Sequence, residues 1–325
     1  MRVLDLSRLL PGPFATLCLQ GLGASVVKVE DPRGGDYLRH LPPTLRVDGE
    51  DVGAWFAALN RGKRSVALDL REAPDRARLL ELAAEADVLV ESFRPGVMSR
   101  LGLDPVGLTE RFPRLVVASL TGWGQTGPMA ALPGHDIGFM ALAGMYGEVP
   151  PEVARLQWAD VAAGGLVAAL RILGAVHAGR GGWLDIAMLD GLIGLQQTQF
   201  AQIVSGAGPD TLLTGQAPIY RFYACEDGGY ISLGAIEPQF QQGVAALTGG
   251  DLSEAALAAM FRSAPRDAWL DRLGGACVVP VLRPDEVALH PQVAARRCFD
   301  ENGLAHPPTG PVRGAVPRLG EHQGF

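Results

Sequence analysis

Short apolar runs alternate with stretches of helical periodicity through the first 190 residues, and this alternation leaves few folds open. Arg2–Leu6 reads as a strand, and a Pro11-Gly12-Pro13 turn leads into a helical stretch at Phe14–Gln20. Gly21 and Gly23 stop that helix, and Ser25–Glu30 returns as strand. Ser65–Leu70, Asp87–Glu91 and Arg114–Leu120 repeat the strand pattern. Between the first two of these, Pro74–Glu85 carries Leu79, Leu80 and Leu82 at helical spacing. Strand, helix and strand in this order predict a parallel sheet covered by helices. Such sheets bind ligands beyond the carboxyl ends of their strands.

Near residue 190 the pattern changes. Leu189–Ser205 reads as one long helix, and Ile219–Cys225 and Tyr230–Ala235 flank Glu226-Asp227-Gly228-Gly229 as a hairpin. Helical patterns follow at Gln239–Leu247, Glu254–Phe261 and Arg266–Leu273. From His306 onward the chain is rich in Pro and Gly and is expected to run extended over the surface. At 325 residues the chain exceeds what one hydrophobic core usually serves. The expected fold class is therefore α/β, with a second, smaller domain. The large domain covers 1–188 and is rejoined by a C-terminal return over 306–325. A connecting helix and linker take 189–218, and a small α+β domain takes 219–305.

A net charge of −7 excludes a globally basic nucleic-acid surface, so an anionic ligand must meet a local cluster of Arg and Lys. Cys18, Cys225, Cys277 and Cys298 are far apart, with no CxxC or Cys/His ligand spacing. That argues against a disulfide framework or a metal site and for a reducing, cytoplasmic setting. The chain opens directly on Val3-Leu4-Asp5-Leu6 without a charged leader. Val161–Ala178, the longest apolar stretch, contains Gly164, Gly165, Arg171 and His177 and reads as a buried helix, not a membrane span.

The first turn, Leu10-Pro11-Gly12-Pro13, lacks the GxGxxG that a dinucleotide pyrophosphate requires. Basic residues gather in Asn60-Arg61-Gly62-Lys63-Arg64 and from Ser92-Phe93-Arg94-Pro95-Gly96 to Arg100. They read equally as a phosphate-binding set and as a solvated basic rim. His135 precedes Asp136 at a helix start, Asp160 opens the apolar helix, and Glu237 stands before Pro238. Asp136, Asp160 and Glu237 each have a plain reading at a helix start, but caps do not explain the combination.

Thr121-Gly122-Trp123-Gly124-Gln125-Thr126-Gly127-Pro128 and Gly134-His135-Asp136-Ile137 are the residues that carry a resemblance. With them go Pro11-Gly12-Pro13, Val27-Lys28-Val29-Glu30, Arg94-Pro95-Gly96, Asp185–Gly191 and Gly234-Ala235-Ile236-Glu237-Pro238-Gln239-Phe240. Together, and in order over nearly the whole chain, they resemble the family of class III CoA-transferases and 2-methylacyl-CoA racemases. The stretch around Glu237 is the racemase-like part.

The resemblance implies a Rossmann-like CoA-binding domain and an interlocked homodimer. In such a dimer the active site lies between the large lobe of one chain and the small lobe of the other. It implies an acyl-CoA thioester as partner, with no cofactor beyond the CoA moiety and no metal. His135 and Asp160 would be paired bases on opposite faces of the α-carbon, with Glu237 orienting His135 and Tyr220 in the substrate pocket. Asn60, Arg61, Lys63, Ser92, Phe93, Arg94 and Arg100, with Gly134 and Asp136, would hold CoA. Backbone N–H groups at the start of the Asp160 helix would meet the enolate oxygen.

The alternative within the family is a transferase whose Asp160 is the nucleophile. Outside catalysis, the alternative is an acyl-CoA-binding protein. Two departures stand out: Val161-Ala162-Ala163 separate Asp160 from Gly164-Gly165, and Asp31 stands where some relatives carry an Arg beside the adenine.

Overall fold

The computed structural model describes residues 1–147, 153–208 and 210–325. They form two compact units, Met1–Gln197 with Cys298–Phe325, and Thr198–Arg297.

The first unit starts with β1 (Arg2–Asp5), α1 (Pro11–Gly21) and β2 (Ser25–Glu30). A hairpin of β3 (Thr44–Val47) and β4 (Glu50–Gly53) leads to α2 (Ala54–Asn60), β5 (Arg64–Ala67) and α3 (Ala73–Glu85). Then come β6 (Val88–Glu91), α4 (Val97–Arg100), α5 (Pro105–Arg111), β7 (Val116–Thr121) and α6 (Asp136–Leu142). A π-helical stretch over Ala159–Leu166 runs on into α7 (Val167–His177), followed by β8 (Gly182–Ala187) and α8 (Met188–Leu195).

β1, β2 and β5 to β8 make one sheet, ordered β5-β2-β1-β6-β7-β8, with every neighbouring pair parallel. The order runs outward in opposite directions from β1 and β6. That reversal opens a crevice at their carboxyl ends, the place where open parallel sheets take ligands. Val3, Val26, Val88, Val90, Val116 and Ala118 face one half of the core, with Ala15, Leu19 and Ile172. Leu4, Val27, Leu89 and Val117 face the other, with Leu79, Leu82 and Leu108. Burial on both faces is why these strands read as almost unbroken apolar runs.

Charges are nevertheless built into this core. Asp5, Lys28, Glu30 and Lys63 are all buried. Lys63 Nζ donates to Asp5 Oδ2 (3.0 Å), Thr16 Oγ1 (2.8 Å), Asn60 Oδ1 (2.9 Å) and the Pro13 carbonyl (3.0 Å). Lys28 pairs with Asp36 at 3.1 Å and donates to the Ser7 carbonyl at 2.9 Å. Burial works against the Asp5 charge, yet Lys63 and Lys28 hold its carboxyl well below the usual range. Arg39 grips both oxygens of Glu30, at 2.8 and 2.6 Å. Together these ties pin α1, α2 and the loop after β2 to the carboxyl edge of the sheet.

The last twenty residues run extended, as the sequence suggests. Gly62 N–H donates to the Ala315 carbonyl (2.7 Å) and His322 N–H to the Ser65 carbonyl (2.9 Å), the latter covering the open edge of β5. The continuous helix over 159–177 is long and apolar enough, by length and composition, to cross a membrane, with mean hydropathy 1.7. In the fold its Ala159, Ala163, Ala168, Ala169 and Ile172 are packed into the core.

Leu189–Ser205 is not one helix. Gln196 leaves the helical region (φ −94°, ψ 31°), and the chain resumes as α9 (Gln197–Ser205). The Gln196 side-chain amide donates to the carbonyls of Ala143 and Leu192, both at 3.1 Å, which holds the break.

The second unit holds β9 (Tyr220–Ala224), β10 (Tyr230–Gly234), α10 (Pro238–Thr248), α11 (Glu254–Phe261), α12 (Arg266–Leu273) and β11 (Val278–Pro280). Its antiparallel sheet is ordered β11-β10-β9. Phe261 centres the core, stacked on Tyr223 at 5.2 Å and edge-on to Trp269 at 5.3 Å.

Candidate active site

The crevice at the strand reversal is a cleft of about 310 Å³, lined by Leu6, Arg8, Gly35, Leu68, Arg71 and Phe93 among others. Arg8 follows β1, and its guanidinium lies 5.3 Å from the Tyr37 ring centre and 5.5 Å from that of Phe93. Arg33 follows β2 and Arg71 follows β5; both line the cleft and pair with Asp31 and Asp69 respectively. Arg71 is shared with an adjoining open groove that also carries Arg76 and Arg100. One apolar cleft therefore continues into a surface with several guanidinium groups, the chemistry that an adenine ring followed by phosphates requires.

Beneath the loop that carries Phe93 lies Glu91, the last residue of β6. Burial pushes its carboxyl up to about 7, against hydrogen bonds from Ser119 and the Phe93 amide. The Phe93 bond, 2.7 Å, fixes the start of the Ser92–Gly96 loop.

A second locus forms where β7 ends. Trp123 meets Phe139 edge to face at 4.6 Å, and the loop wraps so closely that a Cβ on Gly134 would lie 2.5 Å from the Phe139 ring. Only glycine fits there. This packing sets His135 at the start of α6 in an extended conformation, exposed, with no cap bond from its imidazole. The next residue, Asp136, reaches across to the π-helical stretch. Its Oδ1 accepts the amides of Ala159 (2.7 Å) and Asp160 (3.1 Å). Two helix starts, one bearing His135 and the other Asp160, are thus joined by one carboxylate.

Asp160 itself is half-buried. Burial first, and the neighbouring Asp136 charge second, push its carboxyl up to about 7. π-Helical segments are uncommon and concentrate at functional sites. This one also packs tightly, since a Cβ on Gly165 would lie 2.7 Å from Phe14 and 3.2 Å from the Pro11 carbonyl. The two glycines that follow Val161-Ala162-Ala163 thus stand where α1 presses on the helix.

The residues singled out in the sequence divide accordingly. His135, Asp136, Gly134 and Asp160 come together. Phe93 lines the cleft, Ser92 Oγ accepts the Arg8 amide at 3.2 Å, and Arg94 and Arg100 are exposed. Asn60, Arg61 and Lys63 do not line the cleft. Lys63 is spent on Asp5 and Asn60, Asn60 also on the Phe56 carbonyl (3.1 Å), and Arg61 on Asp300 (3.1 Å) and the Ala305 carbonyl (2.7 Å). The amides of Ala159 and Asp160, expected to face an enolate oxygen, are taken by Asp136.

Glu237 and Tyr220 belong to the second unit. Glu237 is exposed at the start of α10 with no cap bond from its carboxylate, and Tyr220 opens β9. Arg8, Arg33, Arg71 and Arg76 were not singled out by the sequence. Their shared signal is position, because the first three follow directly on the carboxyl ends of three parallel strands. Among the described residues no group of three His, Cys, Asp or Glu side chains is placed to hold a metal ion.

A family model described as CoA-transferase family III matches residues 1–324. The chain is 33% identical to the acetyl-CoA:oxalate CoA-transferase of Acetobacter aceti, over 96% of its own length and 87% of that protein's. It is 35% identical to the alpha-methylacyl-CoA racemase of Homo sapiens, over 91% of this chain and 81% of that one. The crystal structure of a CaiB/BaiF family protein from Brucella suis is similar with a TM-score of 0.86 at 29% identity, covering 99% of this chain and 96% of the other.

Proposed function

Because the chain belongs to CoA-transferase family III, we propose that it acts on a CoA thioester and racemises a 2-methylacyl-CoA by two-base α-proton transfer. The observation that carries this reading is the Asp136 bridge between the helix starts of His135 and Asp160, with Asp160 pushed up to about 7. A carboxyl raised toward neutrality by its surroundings can serve as acid and as base, which a reversible proton transfer requires.

In one direction the His135 imidazole removes the α-proton and the Asp160 carboxylic acid returns one to the opposite face. In the other direction the Asp160 carboxylate is the base and the His135 imidazolium the acid. The C–H bond broken on one face is replaced by one formed on the other, with no change of oxidation state. Glu237 is the carboxylate that orients His135 and stabilises its cation, and Tyr220 borders the acyl group. The cofactor requirement ends with the CoA carried by the substrate, and the site of action is cytoplasmic.

The second reading, CoA transfer through an aspartyl thioester on Asp160, is favoured by the identity with the oxalate CoA-transferase. Incubation with a pure enantiomer of a 2-methylacyl-CoA in deuterated water decides between them. Racemisation takes up deuterium at the α-carbon, whereas an Asp160-bound CoA adduct in the mass spectrum without deuterium uptake overturns the reading.

The CoA nucleotide belongs in the cleft at the strand reversal, with Arg8, Arg71 and Arg100 toward its phosphates. A charge-assisted hydrogen bond is worth about 1.5–3 kcal/mol. Arg8→Ala is therefore expected to raise KM for acyl-CoA by at least about tenfold while kcat changes little; an unchanged KM removes Arg8 from the site.

We extend the proposal to an interlocked homodimer in which Glu237 serves His135 across chains. The exposed apolar side chains Leu195 in the first unit and Phe200, Ile203 and Val204 in the second support it, since apolar surface of this kind marks association sites. Sedimentation equilibrium is expected to read a dimer, and a fully active monomer contradicts it.

A further inference from the structure

We infer that Asp136 is a positioning residue that fixes Asp160 relative to His135 by holding the first turn of its helix, and that sets a like charge beside it. The inference rests on the reading of Asp160 as an acid–base group and goes beyond it, because Asp136 need touch no substrate.

Three observations carry it. One carboxylate oxygen accepts two consecutive backbone amides, at Ala159 and Asp160, so the first turn of the Asp160 helix is held by the residue next to His135. Those amides are then closed to the substrate, and the positive end of the helix acts on Asp136 instead. Finally, Asp136 places a like charge beside the half-buried Asp160, and like charges disfavour ionisation.

Among the described residues packed against the Asp160 helix, Asp136 is alone in this role. Against the Asp160 helix, α1 brings no ionisable side chain but Cys18, and α8 brings Asp190. α7 contributes Arg171 and His177, β8 contributes Asp185, and α6 contributes Asp136 with His135 at its start. Of all these, Asp136 is the charge that acts on Asp160, second to burial itself. Asp136 is also raised from the ordinary carboxylate value by burial, with the two amide bonds opposing.

Two substitutions separate position from charge. Asp136→Asn keeps an oxygen that accepts both amides and removes the charge, whereas Asp136→Ala removes both. The readouts are the pH titration of the Asp160 carboxyl, followed by carbon-13 NMR and assigned by its loss in Asp160→Asn, and the pH profile of α-proton exchange.

Asp136→Asn is expected to move the Asp160 titration and the rising limb of the base-catalysed exchange to lower pH, by about one unit. The direction follows from the sign: with the like charge gone, Asp160 ionises at lower pH, and its base form is present earlier. Asp136→Ala is expected to lose exchange on the order of 10²-fold at every pH, because the base is displaced, and Asp136→Asn to recover most of that loss. An Asp160 titration unmoved in Asp136→Asn overturns the inference. If the titration moves but the wild-type protein exchanges no α-proton, the racemase reading falls and the inference about Asp136 stands.

Discussion

Asp160→Ala and His135→Ala are each expected to abolish the proposed racemisation while leaving CoA affinity nearly intact, with losses of at least ~10²–10⁴-fold, the usual contribution of one positioned base. The reason is geometric. In the proposed mechanism two groups act on opposite faces of one carbon, so removing either leaves a proton acceptor without a donor across from it. Neither side chain lines the cleft at the strand reversal, where the nucleotide is proposed to bind, so CoA affinity is expected to survive.

The variants also differ in kind. Without His135, Asp160 is expected still to exchange the α-proton of the enantiomer whose hydrogen faces it, returning deuterium to the same face. Without Asp160, His135 is expected to do so for the other enantiomer. Each variant should therefore wash deuterium into one enantiomer and not the mirror image, and neither should interconvert them. The residual exchange in His135→Ala is expected to rise with pH through about 7, because Asp160 must be ionised to act as base. Near wild-type racemisation by His135→Ala would sink the two-base assignment and favour transfer through Asp160, where His135 is dispensable.

The sheet was legible because its strands are buried on both faces, so Val26-Val27 or Val116-Val117 announces itself without context. The β3–β4 hairpin was not, because Thr44–Gly53 is mostly exposed and carries charge where a buried strand carries apolar residues. The break at Gln196 depends on a bond to the Ala143 carbonyl, a tertiary partner that local periodicity cannot report.

The same limit governs the site. His135 and Asp160 stand out as residues, but the carboxylate that joins them reads as a cap or as a CoA contact, not as a bridge between the two helix starts. The cationic residues that line the cleft are scattered along the chain for a related reason. Sequence shows clusters such as Arg61 and Lys63, whereas a parallel sheet gathers single residues from separate strand ends, such as Arg8 after β1 and Arg71 after β5. In an α/β chain of this kind, position relative to a strand's carboxyl end is the better guide.

Lys63→Met tests the structural role of the buried Lys63–Asp5 pair and is expected to cost about 3–5 kcal/mol of stability, the usual penalty for removing one partner of a buried ion pair. Lys63 and Asp5 are both fully buried, and Lys63 lies 58 residues from Asp5 in the chain. Burial pulls Lys63 down to about 8, against the Asp5 charge, so the pair is ionised at neutral pH. Without Lys63, Asp5 keeps bonds from Ser7 and Thr16 and the more distant charge of Lys28, but loses its direct ion partner.

The pH dependence has a definite sign. In the wild-type protein the depressed Asp5 carboxyl contributes stability that is present above its unfolded value and lost as pH falls through the folded one. In the variant Asp5 ionises less readily, so protonation relieves it, and the gap to wild type narrows as pH falls. Lys63→Met with Asp5→Asn should regain part of the loss, because no buried charge is then left unpaired. Urea unfolding at several pH values measures all three. A Lys63→Met variant as stable as wild type but weakened tenfold or more for CoA would return Lys63 to the phosphate-binding set and overturn its assignment to the core.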